Sequence, residues 1–465
     1  MPRMVCRFGF VALLLALLLP APAVTQEKDK APAAPSTGVA IDKKEMAERV
    51  KQEFLHAWNA YKAHAWGHDD LRPLTKTYRD WHDAPLLMTA VDAMSTMHLM
   101  GLEEEAKRTR EFVIANLRFD HSISVKNFEI TIRILGGLLS AHQLSGDVRL
   151  LSMAEDLGRR LLPAFDSPTG MPYMYVNIGT GSVHGNVSNP AEIGTLLIEF
   201  GTLSKLTGKP EFYDKAKRAL AELHKRRAKT GLVGSTINIE TGAWVSKRSH
   251  VGGGIDSYYE YLLKCSILFG DKDCESMWKE SVAALNKHVA HQVSGSLWYG
   301  QVNMDSGDRI GTRFGALDAF LPAVLALGGD IDRAKRLQES SYKMWQIAGI
   351  EPEAIDYAAM KITSPGYPLR PEIMESAYYL YFFTQDPRYL EMGKVFFDGL
   401  VQHSRTEAGY AALSNVITKE KADHMESFFL AETLKYLYLL FAPRETLDLT
   451  KWVFNTEAHP VRRTW

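Results

Sequence analysis

Cysteine is scarce here, with three residues in a chain of 465. That excludes a disulfide-dense scaffold, and no Cys-x-x-Cys pair is present for a structural zinc site. Neither charge sign is in excess: 54 Lys and Arg against 55 Asp and Glu leave a net charge of −1. Nucleic acid therefore has no basic surface to grip, and no block of like charge reads as a tail. A Gly-x-Ser-x-Gly elbow, a phosphate loop and a Gly-x-Gly-x-x-Gly fingerprint are all missing. His68, His82, His250, His403, His424 and His459 do not fall at paired metal-ligand spacings. What remains is a globular composition, 46% apolar and 23% charged, whose chemistry rests on carboxylates and other oxygen donors.

Arg3 and Arg7 precede the apolar run Phe8 to Leu19, and Ala21-Pro22-Ala23 follows with small residues. This order predicts a secretory signal over 1–23 and a secreted or periplasmic protein. The run is short of the ~20 residues that cross a bilayer, although a retained anchor is the alternative. Residues 24–40, rich in Lys, Ala, Pro, Ser and Thr, read as a flexible leader. Residues 41–465 contain no further linker and read as one domain. Cys265 and Cys274 are either bridged, joining one helix end to the next helix start, or two buried thiols.

One unit recurs. An apolar helix ends in a short turn, and an amphipathic helix follows. The turns are Met100-Gly101-Leu102-Glu103, Ser145-Gly146-Asp147, Thr207-Gly208-Lys209-Pro210 and Phe269-Gly270-Asp271, then Gly328-Gly329-Asp330, Thr384-Gln385-Asp386-Pro387 and Phe441-Ala442-Pro443. Seven turns predict seven helical hairpins. Helices apolar all round, paired with half-polar ones, suit a closed double ring in an all-α fold. An open solenoid would need polar caps at both ends, which are not evident.

Several carboxylates interrupt the apolar helical text. Glu129 has Arg133 one turn on; Asp256 follows Gly252-Gly253-Gly254-Ile255; Glu372 and Glu375 share a face; Glu426 and Glu432 bracket Ser427-Phe428-Phe429-Leu430-Ala431; Glu457 lies near the C-terminus. Each has a bland alternative: a buried ion pair for Glu129, an N-cap for Asp256, a first-turn acid for Glu372. Their number argues otherwise. In a closed ring these acids converge on one axis, where they would bind a hard cation, run acid–base chemistry, or both.

At these residues the chain resembles glycoside hydrolase family 47, the class I α-mannosidases. The likeness runs from Trp66-Gly67-His68-Asp69-Asp70-Leu71-Arg72-Pro73 to Phe454-Asn455-Thr456-Glu457-Ala458-His459-Pro460, through Phe128 to Gly137, Asp256 to Lys264, Leu369 to Ser376 and Met425 to Phe441. The resemblance implies an (α/α)7 barrel and an inverting, Ca²⁺-dependent exo-α-1,2-mannosidase acting on high-mannose glycans or mannan. It implies Glu129 as general acid through a water and Glu372 as general base, with Asp256 as the third core carboxylate. Thr456 would ligate Ca²⁺, with Glu375, Glu432 and Glu457 holding waters of its shell. Arg133, Glu353, Arg370 and Phe428 would bind substrate. The expected partner is a mannose oligosaccharide, without nucleic acid or membrane once the signal is cleaved, and the expected state is a monomer.

Processing members of the family usually carry Arg before the core Asp, where this chain has Gly254-Ile255. They carry an Asp-His pair where it has Gly315-Ala316, and a cysteine where it has Ala319. Gly252 to Asp256, Gly329-Asp330-Ile331-Asp332 and Tyr367-Pro368-Leu369-Arg370 are more similar to the ER degradation-enhancing α-mannosidase-like branch. A quality-control lectin on the same fold, with little or no turnover, is therefore the rival expectation. The complete acid set favours the enzyme. An ER resident is a second rival; the end Arg462-Arg463-Thr464-Trp465 lacks a retention signal, and Asn186-Val187-Ser188 is the one sequon.

Overall fold

A computed structural model describes residues 41–463; the expected signal and leader, 1–40, lie outside the described residues. Seven inner helices form a closed ring: Met88–Leu99, the run 127–145, Leu197–Thr207, Asp256–Phe269, Leu321–Leu327, Glu372–Thr384 and Leu434–Phe441. Outer helices clasp them, including Glu103–Asn116, Val148–Leu161, Pro210–Lys225 and Lys272–Ala284, then Ile331–Gln346 and Arg388–Ser404.

The sequence explains the division. Glu372–Thr384 is buried on every side from Ile373 to Leu380, whereas Val148–Leu161 buries only the stripe Leu150, Ala154, Leu157, Gly158 and Leu161. The Gly-Asp turns join the two types. Gly146 and Gly270 end inner helices in the left-handed region, at φ 75° and 68°. The next residues, Asp147 and Asp271, cap the outer helices by accepting from the amides of Arg149 and Cys274.

The seventh turn departs from the expected pattern. Among the described residues no hairpin partner follows Phe441-Ala442-Pro443; the outer helix against Leu434–Phe441 is Lys43–His64, the first described helix. The two ends of the chain thus close the ring, so the seventh pair is non-local and invisible to a search for consecutive helices.

Short antiparallel hairpins crown the end where the inner helices begin. The strand entering an inner helix pairs with the hairpin leaving the same unit's outer helix, as Ser124–Lys126 does with Tyr175–Asn177. Their tips repeat one device: the Oδ1 atoms of Asn177, Asn238, Asn303, Asp356 and Asn415 each accept from backbone amides two and three residues on.

From the opposite end the hairpin Trp452–Phe454/Pro460–Arg462 enters the barrel. It packs Val453 and Val461 on Leu268 near the far end of an inner helix, and its turn, 455–459, reaches the middle. Among the described residues no helix is long and apolar enough to cross a membrane.

Cys265 and Cys274 are bridged, tying the inner helix Asp256–Phe269 to its outer partner. Closing so short a loop is expected to contribute about 2–3 kcal/mol. A Cys265→Ser/Cys274→Ser variant should therefore unfold at lower denaturant concentration than the oxidised protein; an unchanged midpoint would contradict this.

Candidate active site

A cavity of about 280 Å³ opens at the strand-crowned end of the barrel. All the expected site residues except Glu353 line it. Glu353, outside the lining, holds Arg370, with Arg370 Nη2 2.9 Å from Glu353 Oε1.

Helix starts place the acids. Glu129 lies in the first turn of the run 127–145, Asp256 opens Asp256–Phe269, and Glu372 opens its helix after Pro371, with Glu375 one turn deeper. Asp256 is not the N-cap, a place held by Ile255; as the first helical residue it accepts the Ser257 amide through Oδ1 at 2.9 Å and lines the cavity. Two inner helices widen into π turns at this level, Thr131–Leu135 around Arg133 and Phe429–Thr433 around Glu432. Such turns concentrate at functional sites, and nothing in the apolar pattern signalled them.

Arg133 sits at the centre. It donates twice to Glu129 Oε2, at 3.1 and 3.0 Å, and also binds Glu457. Burial opposes its charge, but Glu457, Glu129 and Asp92 outweigh that and keep the guanidinium protonated. The Phe428 ring lies between two such cations, 5.7 Å from the Arg133 guanidinium carbon and 5.8 Å from that of Arg370.

The floor is the turn 455–459. Asn455 Nδ2 donates to Ile132 O (2.9 Å) and Glu199 Oε1 (2.8 Å); its Oδ1 accepts from the amides of Glu457 (3.0 Å) and His459 (2.7 Å). Tyr261 Oη, which donates to Glu199, accepts the Thr456 amide at 3.2 Å. Gly136 permits this approach, because a Cβ there would lie 2.6 Å from Asn455 Nδ2. An Asn455→Ala variant is expected to lose about 2–4 kcal/mol of stability, since several buried groups lose their partners together. Urea unfolding reads this directly, and a loss below half a kcal/mol would contradict it.

The electrostatics are lopsided. The lining carries eight carboxyls against Lys126, Arg133 and Arg370, and Lys264, just outside it, is taken by Glu260. Burial pushes Glu372 and Glu375 up to about 8, and Asp256 up to about 6. Glu432 and Glu457 are raised as well, through burial and then neighbouring charge: Glu457 and Glu372 raise Glu432, while Asp92 and Glu129 raise Glu457 against the opposing pull of Arg133. Among the described residues the Glu372 Oε2 and Glu199 Oε2 atoms are buried without hydrogen-bond partners. Oxygen donors in excess, orphaned oxygens and too little positive charge suit a hard divalent cation.

Sequence reasoning missed several participants. Glu260, four residues before Lys264, and Glu192, paired with Lys126 at 2.8 Å, both line the cavity. Charged residues inside apolar helical text were the available signal. Outside the lining, His424 lies between Asp70 (3.4 Å) and Glu426 (3.1 Å), a cluster that only the fold assembles. Glu351 is fully buried with both oxygens unpartnered, and burial, then Glu372 and Glu353, raise its proton affinity.

A family model described as glycosyl hydrolase family 47 matches residues 53–463. Alpha-mannosidase I MNS5 of Arabidopsis thaliana is 37% identical over 92% of this chain and 79% of its own length. The mouse ER degradation-enhancing alpha-mannosidase-like protein 2 is 40% identical over 91% of this chain and 79% of its own. Among solved structures, the alpha-1,2-mannosidase from Trichoderma reesei superposes with a TM-score of 0.84 at 28% identity, over 90% of this chain and 99% of its own.

Proposed function

The chain belongs to glycosyl hydrolase family 47 and is a glycosidase, and from that premise we propose an inverting, calcium-dependent exo-α-1,2-mannosidase. Its substrate is the terminal α-1,2-linked mannose of high-mannose glycans or mannan. The observation that carries this reading is the convergence of Glu129, Asp256, Glu372 and Thr456 on one sugar-sized cavity.

Each side chain has a task. Phe428 offers an apolar face to the terminal sugar, and Arg133 and Arg370 on either side of it bind hydroxyls or fix carboxylates. Glu353 holds Arg370 in place. Glu129, oriented by the two donors of Arg133, delivers a proton through a water to the leaving oxygen. Glu372 accepts a proton from the attacking water on the opposite face of the ring, the arrangement that inversion requires. Asp256 supplies negative charge near the developing oxocarbenium ion.

Thr456, through its hydroxyl and carbonyl oxygens, would hold Ca²⁺, with Glu375, Glu432 and Glu457 binding waters around it. The cation would supply positive charge that lowers the proton affinity of nearby carboxyls and would orient sugar hydroxyls. Its charge matters for Glu372, which burial, with the charges of Glu353 and Asp256, raises to about 8, so that the carboxyl is largely protonated at pH 7 and a poor proton acceptor.

The Cys265–Cys274 bridge supports an exported protein in an oxidising compartment. Incubation with α-1,2-mannobiose, with calcium or with chelator, tests the reading. Mannose release that requires calcium is expected. Sugar binding without turnover would favour the lectin, and turnover surviving full chelation would remove calcium from the scheme.

A further inference from the structure

We propose that Lys126, held by Glu192, is a specificity-determining residue that binds the leaving sugar at the cavity mouth. This rests on the glycosidase reading above.

Chain order fixes the depth of each group. Every inner helix runs from the strand-crowned mouth toward the far end, where the hairpin bearing Thr456 enters. Lys126 immediately precedes the helical run that begins at Asn127, so it stands above Glu129. Asn189 and Glu192 precede the inner helix Leu197–Thr207, and Gly253-Gly254 precede Asp256. These residues form the upper tier of the same cavity. A terminal sugar resting on the floor presents its glycosidic oxygen to Glu129. The next sugar must then occupy this tier.

The tier is built and partly bare. The Ala191 amide donates to Gly254 O at 3.0 Å, and Asn189 Oδ1 accepts the Glu192 amide at 3.1 Å, so the two loops form one wall. Gly253 and Gly254 give that wall no side chain. The polar groups it offers are those of Lys126, Asn189 and Glu192. Lys126 Nζ lies 2.8 Å from Glu192 Oε1; an ammonium has three donors, so two remain for hydroxyls. Glu192 is 8% exposed, and its Oε2 has no partner. The Lys126 side chain is about a third exposed, so its spare donors can reach neighbouring hydroxyls of a pyranose while Glu192 fixes the ammonium in place. Burial opposes the Lys126 charge, but Glu192 and Glu129 outweigh it.

The test compares two ligands on the calcium-loaded protein. α-1,2-Mannobiose fills both tiers, whereas 1-deoxymannojirimycin, a single mannose-shaped ring, fills only the floor. Lys126→Met is expected to lower kcat/KM for mannobiose by about 10- to 100-fold, the range for losing charge-assisted hydrogen bonds. The inhibition constant of 1-deoxymannojirimycin should stay within about twofold, which also shows that the variant is folded. Equal losses for both ligands would make Lys126 a structural or floor residue and overturn the proposal, as would no change in either. A wild-type protein that binds 1-deoxymannojirimycin but cleaves no mannobiose overturns the α-1,2-mannosidase reading, and this proposal with it.

Discussion

Replacing Glu372 by Gln is expected to lower kcat on α-1,2-mannobiose by about 10³-fold or more while leaving the protein at least as stable. General bases typically contribute about 10²–10⁴-fold, and an amide cannot take the proton of the attacking water. Stability should not fall, because the wild-type carboxyl is penalised where it stands: burial raises it to about 8, and its Oε2 lacks a partner. Ionising such a group opposes folding. Glu129→Gln should differ. It also removes catalysis, but it weakens the pair with Arg133, leaving a buried guanidinium with fewer partners. Steady-state kinetics and thermal unfolding of the two variants separate these effects. A Glu372→Gln enzyme with more than a tenth of wild-type kcat would remove Glu372 from the role of base.

Removing the divalent cation is expected to abolish turnover and to destabilise the protein more at pH 8 than at pH 5. The sign follows from the raised carboxyls. Asp256 at about 6, Glu199 at about 7 and Glu372 and Glu375 at about 8 all stand above their unfolded values near ~4. Between those limits the cation-free native state binds more protons than the unfolded chain. Its stability is full below pH ~4 and is lost progressively as pH rises toward 8. A cation that binds ionised carboxylates displaces those protons, so its stabilisation grows over the same window. Melting curves in chelator and in calcium, from pH 5 to 8, read both trends. A calcium-dependent gain that shrank with rising pH would contradict this.

Much of the ring is legible in the chain, because it is local. Gly-Asp turns end one helix and cap the next, and period-3.6 patterning separates inner from outer helices. What escapes is non-local. The helix Lys43–His64 completes the seventh pair from the other end of the chain, and the hairpin 452–462 fills the barrel from below. The site acids stand out as charges in apolar text, so their convergence could be expected from closure alone. Their supports could not. Asn455 looks like any turn residue, yet it joins the floor to Ile132 and Glu199. Glu353 reads as a site acid but stands behind Arg370. The bland readings fared unevenly: Glu129 does pair with Arg133 and Glu372 is a first-turn acid, whereas Ile255 and not Asp256 holds the N-cap position; pairing and a place in the cavity are compatible.

Crystals grown with calcium, measured for anomalous scattering, address the central claim most directly. One ion is expected on the floor of the cavity, ~2.3–2.6 Å from both the hydroxyl and carbonyl oxygens of Thr456, with Glu375, Glu432 and Glu457 reaching it through water. Calcium-saturated crystals with no ion within reach of Thr456, or with the ion bound away from the cavity of Glu129 and Glu372, would contradict it.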